Sequence, residues 1–462
     1  MALNFYCLAR CLGLPLGVFA FSVGLGLAQP HDLLHQQKPW KEADDEELVR
    51  SYVQDFGNQT FREPDGHLHF KYLVPAGYYQ QLWDWDSMIT GVALLSLGSA
   101  PYLAGSMMNF FSAVDLTTGM VKGCLTPSGA QKAIYHAKPV LLAGAWIAAK
   151  AMDNYDQFRP FLSQMLALDN YWETTRRDAA TGLYRWHDQM ESGCDNLVTS
   201  QCPSRYGSGP PHIFHQCWKE SEAYSLASPD IMVFLFREKI ALSNFLHKFG
   251  NSSLAAAVLV SAAKIKAALN KYLWVEEMGA FAAFNTTANQ TIYSRTFLMG
   301  FPLFGGHGLI NQQQAERSYA ELARPDMMSP FGIRSTSCFD PRYSNAKYIV
   351  PYSNWRGPVW INANVFMLYG LASFGMKEQA LQVAQKIVSL LASGIRRNPR
   401  EAKRGAAWRE CYSSDDGGDL AADGFLNWNT LAGSLLDNLR KGVNPFDLGL
   451  EATDATNSLQ FV

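Results

Sequence analysis

Ser252-Ser-Leu-Ala-Ala-Ala-Val-Leu-Val-Ser-Ala-Ala-Lys-Ile-Lys-Ala-Ala-Leu-Asn-Lys-Tyr272 sets the rhythm of the chain. Leu254, Val258, Ala262, Ile265 and Leu269 recur at spacings of three and four, the period of a helix with one buried face. The same period returns at about 100–112, 138–152, 158–177, 228–249, 311–324, 358–374, 377–396 and 428–441. Gly, Pro, Asn or Asp clusters punctuate most of the joins. An acidic run from Glu42 to Glu47 opens a further helix through Val53, and acids there complement the helix dipole. Met88 to Leu95 reads as a buried helix with Asp86 or Ser87 as N-cap. Strand alternation is scarce. Roughly ten to twelve paired helices without a linker predict one all-α domain, and a toroid of helical hairpins is the economical arrangement. The absence of a fixed repeat in sequence argues against an open superhelix.

Composition narrows the function. A chain of 462 residues that is 48% hydrophobic can bury a large core, and a net charge of −2 gives no reason to expect nucleic acid. Aromatics make up 13% of residues, and many stand beside Asp, Asn, Arg or Gly. That mixture suits sugars, whose faces stack on rings while their hydroxyls take polar groups. Nothing calls for a metal or an organic cofactor.

An apolar stretch from Cys11 to Phe21 follows Arg10, and Gly26-Leu27-Ala28 supplies small residues of the kind a signal peptidase reads. Residues 1–28 are therefore expected to be a signal peptide, with an uncleaved anchor as the alternative, leaving 29–462 as the domain. No stable membrane insertion is expected after cleavage, and the oligomeric state stays open. Asn58, Asn251, Asn285 and Asn289 each begin an Asn-x-Ser/Thr triplet, which in the secretory lumen makes them glycan acceptors. Setting aside Cys7 and Cys11 leaves six of the eight cysteines, an even number that favours disulfides in an oxidising compartment.

Four stretches hold the polar chemistry. Trp83-Asp84-Trp85-Asp86-Ser87 puts more acids and indoles ahead of a helix than capping requires, which points to a polar pocket there. Trp186 to Asn196 gathers acids, amides and an imidazole around Gly193 in a long loop between helices. Trp408-Arg409-Glu410-Cys411-Tyr412, with Trp428 beyond it, presents a second carboxylate from a loop. A fourth block, Trp355 to Asn364, begins a helix near Pro358, with Trp360 and Asn364 on one face; its buried amides imply a polar ligand or neighbouring helices. Isolated carboxylates, further acids and several indoles are what glycosidic hydrolysis needs. One protonated acid assists the leaving oxygen, one carboxylate activates water, and rings line the sugar site. No Gly-x-Ser-x-Gly elbow, P-loop or dinucleotide fingerprint appears.

Trp85-Asp86-Ser87, Glu191-Ser192-Gly193-Cys194-Asp195, Trp355-Arg356-Gly357-Pro358-Val359-Trp360-Ile361-Asn362 and Glu410-Cys411-Tyr412, with Phe425 and Trp428, resemble glycoside hydrolase family 63. Order and spacing match over about 80–440, and the Trp-Arg-Gly-Pro-Val-Trp block is the most specific part. The resemblance implies an (α/α)6 barrel and inversion at the anomeric carbon of an α-glucoside or α-mannoside. It implies Asp195 as general acid and Glu410 as general base, with Asp86, Trp355, Arg356 and Trp360 in the sugar-binding wall. Trp83, Trp85, Glu191, Trp408 and Trp428 join that wall as candidates from their own context. The chain's length is nearer the compact mannosylglycerate and glucosylglycerate hydrolases of the family than its processing glucosidases.

An exo-acting, inverting α-glycoside hydrolase on a small carbohydrate conjugate is the leading expectation. An α,α-trehalase or a weakened sugar-binding protein are the alternatives, and a helical-barrel epimerase lacks a suitable histidine. Proton roles follow: Asp195 is to be kept protonated by burial or by Glu191, and Glu410 kept ionised with help from Arg409. Cysteines stand beside both acids, where the family pattern often has other residues. A Cys194–Cys202 bridge is expected to pin Asp195, and a bridge from Cys411 to Cys338 or Cys217 to tether Glu410.

Overall fold

The inner wall of a ring comes from stretches apolar nearly all round, and the outer wall from stretches apolar on one face. In a computed structural model, which describes residues 42–129, 135–187, 189–199, 226–347 and 353–449, the chain forms an (α/α)6 barrel. Residues 1–28, where a signal peptide is expected, lie outside the described residues, as do Cys202 and Cys217. Six hairpins follow in order. Outer α1 (Glu42–Phe56) leads to inner α2 (Asp84–Ala93), and outer α3 (Ala100–Ser112) to inner α4 (Leu141–Met152). Outer α5 (Leu162–Tyr171), extended by a π-helical turn over Trp172–Arg176, leads to inner α6 (Pro229–Lys248). Outer α7 (Ser252–Tyr272) precedes an inner 3-10 helix, Phe301–Gly308, and outer α8 (Gln312–Leu322) precedes inner α9 (Ile361–Ser373). Outer α10 (Lys377–Arg397) leads through a 3-10 turn, Asn427–Leu431, into inner α11 (Ala432–Lys441). The ring closes where α10 and α11 pack on α1 and the turn before α11 packs on α2.

Local chemistry sets the ends. Asn311 and Gln314 form a reciprocal capping box on α8, and Asn251 accepts the Leu254 N–H to start α7. The start of α4 has no cap of its own. Glu238, buried on α6, accepts the Leu142 and Ala143 N–H groups at 3.0 and 2.8 Å and caps it from the neighbouring helix. The fourth inner element is absent from the helices expected from sequence: Pro302 and the Gly305-Gly306-His307-Gly308 run hold it to 3-10 turns. α7 is long and apolar enough to cross a membrane by composition, yet it packs along α6 in the barrel wall.

Two expected helix starts shift. α2 begins at Asp84 with Trp83 at the N-cap, so Asp84 and Asp86 both lie in its first turn and Asp86 is no cap. α9 begins at Ile361, because the Val359 N–H donates to the Tyr412 carbonyl and draws the Pro358 region into a bridge. Strands among the described residues are two or three residues long, the widest sheet joining Leu226–Ala227, Ala283–Asn285 and Gln290–Ile292.

The inner helices run parallel, and the polar stretches picked from sequence lie at their N-terminal ends. The segment after α11 crosses the other end. Phe446 packs on Phe304, Phe366 and Tyr369. The Leu448 carbonyl accepts the Trp146 indole and Asn244 amide N–H groups, and the Phe446 carbonyl accepts from Arg237. Four of the six inner elements are thereby tied together at that end.

Candidate active site

Gly193 turns the loop that carries Asp195. Its φ is +77°, which favours glycine, and a Cβ there would stand 2.7 Å from the Lys138 Cε and 2.8 Å from the Trp85 Cζ2. The loop is therefore pressed against the start of α2. The Cys194 N–H donates to the Ser192 hydroxyl at 3.0 Å, and the Leu197 N–H to the Cys194 carbonyl. Asp195 then reaches the loop before α9. Its Oδ2 accepts both the backbone N–H and the hydroxyl of Ser353, each at 2.9 Å. Asn196 completes the stitch: its side-chain oxygen accepts the Trp355 N–H at 2.6 Å, its amide donates to Asn354, and its carbonyl accepts the Arg356 Nε–H at 3.2 Å.

Glu410 arrives from the opposite side, between α10 and α11. The Trp428 indole N–H donates to its carbonyl at 2.9 Å, and Asn429 donates to the carbonyl of Arg409. The Tyr79 hydroxyl donates to the Glu410 carboxyl at 3.4 Å. Burial first, then the charges of Asp195 and Asp86, push Glu410 up to about 8. Burial and the adjacent Asp84 push Asp86 up to about 7, against the pull of Lys138. Burial and then the charges of Glu410, Asp195 and Asp86 raise the Tyr79 phenol far above its ordinary value. Three acids and a phenol from four segments thus share one electrostatic neighbourhood.

Four indoles pack together beside the acids. Trp355 stacks on Trp360 at 3.9 Å with planes 7° apart, and Trp85 and Trp428 close the cluster at 5.7–6.4 Å from their neighbours. Lys138, 2% exposed at its side chain, lies 5.0 Å over the Trp85 ring and pairs with Asp84 at 3.4 Å. It offsets part of the acid cluster's charge. Trp83 flanks Tyr79 edge-on at 6.1 Å, and its indole N–H has no protein acceptor among the described residues.

Several sequence expectations are corrected. Trp408 is not in the wall: it is fully buried against Tyr52, and its indole donates to the Leu391 carbonyl. Glu191 does not face the pocket. It is buried and paired with Arg176 at 2.8 Å. Arg409 gives Glu410 no help, because its guanidinium donates to the Ala406, Ala407 and Trp408 carbonyls and pairs with Asp419. Asn364 serves structure, exchanging hydrogen bonds with the Ile333 backbone, whereas the Asn362 oxygen has no donor among the described residues. Cys194 and Cys411 are buried free thiols, so neither expected bridge forms. The rigidity expected of them comes from Ser353, Asn196 and Trp428 instead.

Sequence reasoning also misses partners. Tyr79, Lys138, Ser353, Asn196 and Asn427, which donates to Asp86, are not among its candidates. Tyr79, Asn196 and Ser353 stand inside or beside the quoted stretches, where adjacency to the acids is the signal that could find them. Lys138 and Asn427 meet Asp84 and Asp86 only through the fold.

Residues 78–427 match the family model described as the mannosylglycerate hydrolase MGH1-like glycoside hydrolase domain. Among solved structures, the mannosylglycerate hydrolase of glycoside hydrolase family 63 from Thermus thermophilus, in complex with Tris, superposes with a TM-score of 0.64 at 17% identity, covering 84% of this chain and 100% of that one. The same enzyme with Tris and D-glycerate gives 0.63 at 18%, with 84% and 100% covered. Neutral trehalase Nth1 from Saccharomyces cerevisiae gives 0.60 at 16%, covering 89% of this chain and 85% of the trehalase.

Proposed function

This chain belongs to the mannosylglycerate hydrolase MGH1-like glycoside hydrolase family and is an inverting glycoside hydrolase, and from that premise we propose that it removes a terminal α-glucosyl or α-mannosyl unit from a small polar aglycone, with Asp195 as general acid and Glu410 as general base. What supports the reading is that buried Glu410 feels the charges of Asp195 and Asp86 beside a cluster of indoles. In the reaction the bond between C1 and the aglycone oxygen breaks, and that oxygen takes the Asp195 proton. Water attacks C1 from the opposite face and gives its proton to Glu410. Ser353 holds one Asp195 oxygen while the acid works, and Tyr79 holds Glu410. Asp86 and the indoles of Trp85, Trp355, Trp360 and Trp428 shape the sugar subsite, with Trp83 and Arg356 at its edges. D-glycerate in the Thermus thermophilus structure supports an aglycone of that size and polarity. Residues 1–28 as a signal peptide, 29–462 as one catalytic domain and a glycosylated protein of the secretory lumen complete the proposal. Asn58 and Asn289 are exposed and open to a glycan in the fold.

The test is a screen of the purified protein against mannosylglycerate, glucosylglycerate, simple α-glucosides and α-mannosides, and trehalose, with the released sugar followed by NMR. The β-anomer of glucose or mannose should appear first. First appearance of the α-anomer would overturn inversion, preference for trehalose would select a trehalase, and binding without turnover would select a sugar-binding protein.

Proton sharing gives a second expectation. The value of about 8 for Glu410 is felt with Asp195 and Asp86 charged, so it marks loss of the last proton from the acid pair. Hydrolysis needs that proton, placed on Asp195 when substrate binds. kcat/KM should therefore fall as pH rises through about 8. Asp86→Asn removes a negative charge that raises Glu410, so the alkaline limb should move to lower pH. A limb that stays put in this variant would contradict the coupling.

A further inference from the structure

The end of outer helix α5 is tied to the loop that carries Asp195. α5 ends in a π-helical turn, Trp172–Arg176, a distortion often found at functional sites because it re-aims the side chains that follow. Here it carries Arg176 inward. The guanidinium donates to both Glu191 oxygens, Nη2 to Oε1 at 2.8 Å and Nε to Oε2 at 3.3 Å, and Nη2 also donates to the Tyr171 hydroxyl at 2.6 Å. Glu191 additionally accepts the backbone N–H of His187, which closes the start of the same loop. The Glu191 side chain is 0% exposed and that of Arg176 11%.

We propose that the Arg176–Glu191 pair is a positioning device for the general acid, acting through the loop and touching no substrate. The chain between Glu191 and Asp195 is short and includes Gly193, whose left-handed turn has no stiffness of its own. On the far side of that turn Asp195 is held by Ser353. On the near side the short helical turn Gln189–Ser192 is anchored by Glu191. With both sides fixed, the carboxyl can meet a leaving oxygen at one place only. Proton transfer tolerates little displacement, so slackening the near side should weaken acid assistance while the sugar subsite keeps its walls.

This inference rests on Asp195 being the acid, and the experiment separates the two. Glycerate is a poor leaving group that needs protonation, whereas fluoride departs with little help. The variants Arg176→Lys and Glu191→Gln are assayed on mannosylglycerate and glucosylglycerate and on α-mannosyl and α-glucosyl fluoride, beside Asp195→Asn. On the glycerate conjugates kcat should fall on the order of a hundredfold with KM nearly unchanged. On the fluorides it should fall by no more than about fivefold, which also shows that the variants are folded. Equal losses on both leaving groups, or no loss on either, would overturn the positioning role. Should Asp195→Asn itself lose both substrates equally, the acid assignment fails and the inference with it.

Discussion

Glu410→Gln should lower kcat on the preferred glycoside by at least about a hundredfold, with KM changed little, because only the removal of the water proton is lost. Asp195→Asn should do the same on substrates with poor leaving groups. The Glu410→Gln variant should also be no less stable than the parent at neutral pH. Glu410 is raised in the folded state from 4.5 to about 8, so the folded protein favours its protonated form. Its contribution to stability is full below about pH 4.5 and is lost as pH rises through about 8. A neutral amide escapes that loss. Thermal unfolding of the two proteins at about pH 5 and about pH 8 checks this: the difference should favour the variant more at the higher pH. A variant that keeps normal turnover would remove Glu410 from its role, whatever its melting temperature.

Phe446→Ala should produce the largest loss of stability, about 3–5 kcal/mol for a buried aromatic removed from a close-packed site. Phe446 is 0% exposed and lies among three rings from two inner elements. Its carbonyl is the acceptor for Arg237, and its neighbours hold Trp146 and Asn244. The damage is therefore confined to the end of the barrel away from the acids. Urea titration should show the shift, and turnover well below the new melting point should stay within about twofold of the parent. A fall in turnover without a fall in stability would mean that the two ends are coupled.

Helix period is legible because the ring imposes it: an outer helix must hide one face and an inner helix nearly all of its surface. α7 and α9 show the two cases within one chain. The fourth inner element is not legible, since a Pro followed by a glycine run reads locally as a loop and becomes an inner wall only through packing on α6 and α9. The carboxylates can be picked out because acids beside Trp and Gly have no ready structural use. Their environments cannot. Arg409 adjoins Glu410 in sequence but turns to the carbonyls of its own loop, while Lys138 lies 54 positions from the Asp84 it pairs with. Cysteines mislead for a similar reason: the need to brace each acid is real, but hydrogen bonds from other hairpins meet it.

Phe446 and the strand of chain around it have a bearing on traffic. A barrel stoppered at one end is a cul-de-sac, so whatever comes in must back out through the same mouth. In the proposed reaction the sugar enters first and lies deepest, beside the indole cluster, with its aglycone nearer the exit. After cleavage the aglycone can diffuse away at once, whereas the monosaccharide is trapped until it has gone. Departure is thereby ordered, and a chain of sugars could be shortened only from its tip, one unit per visit.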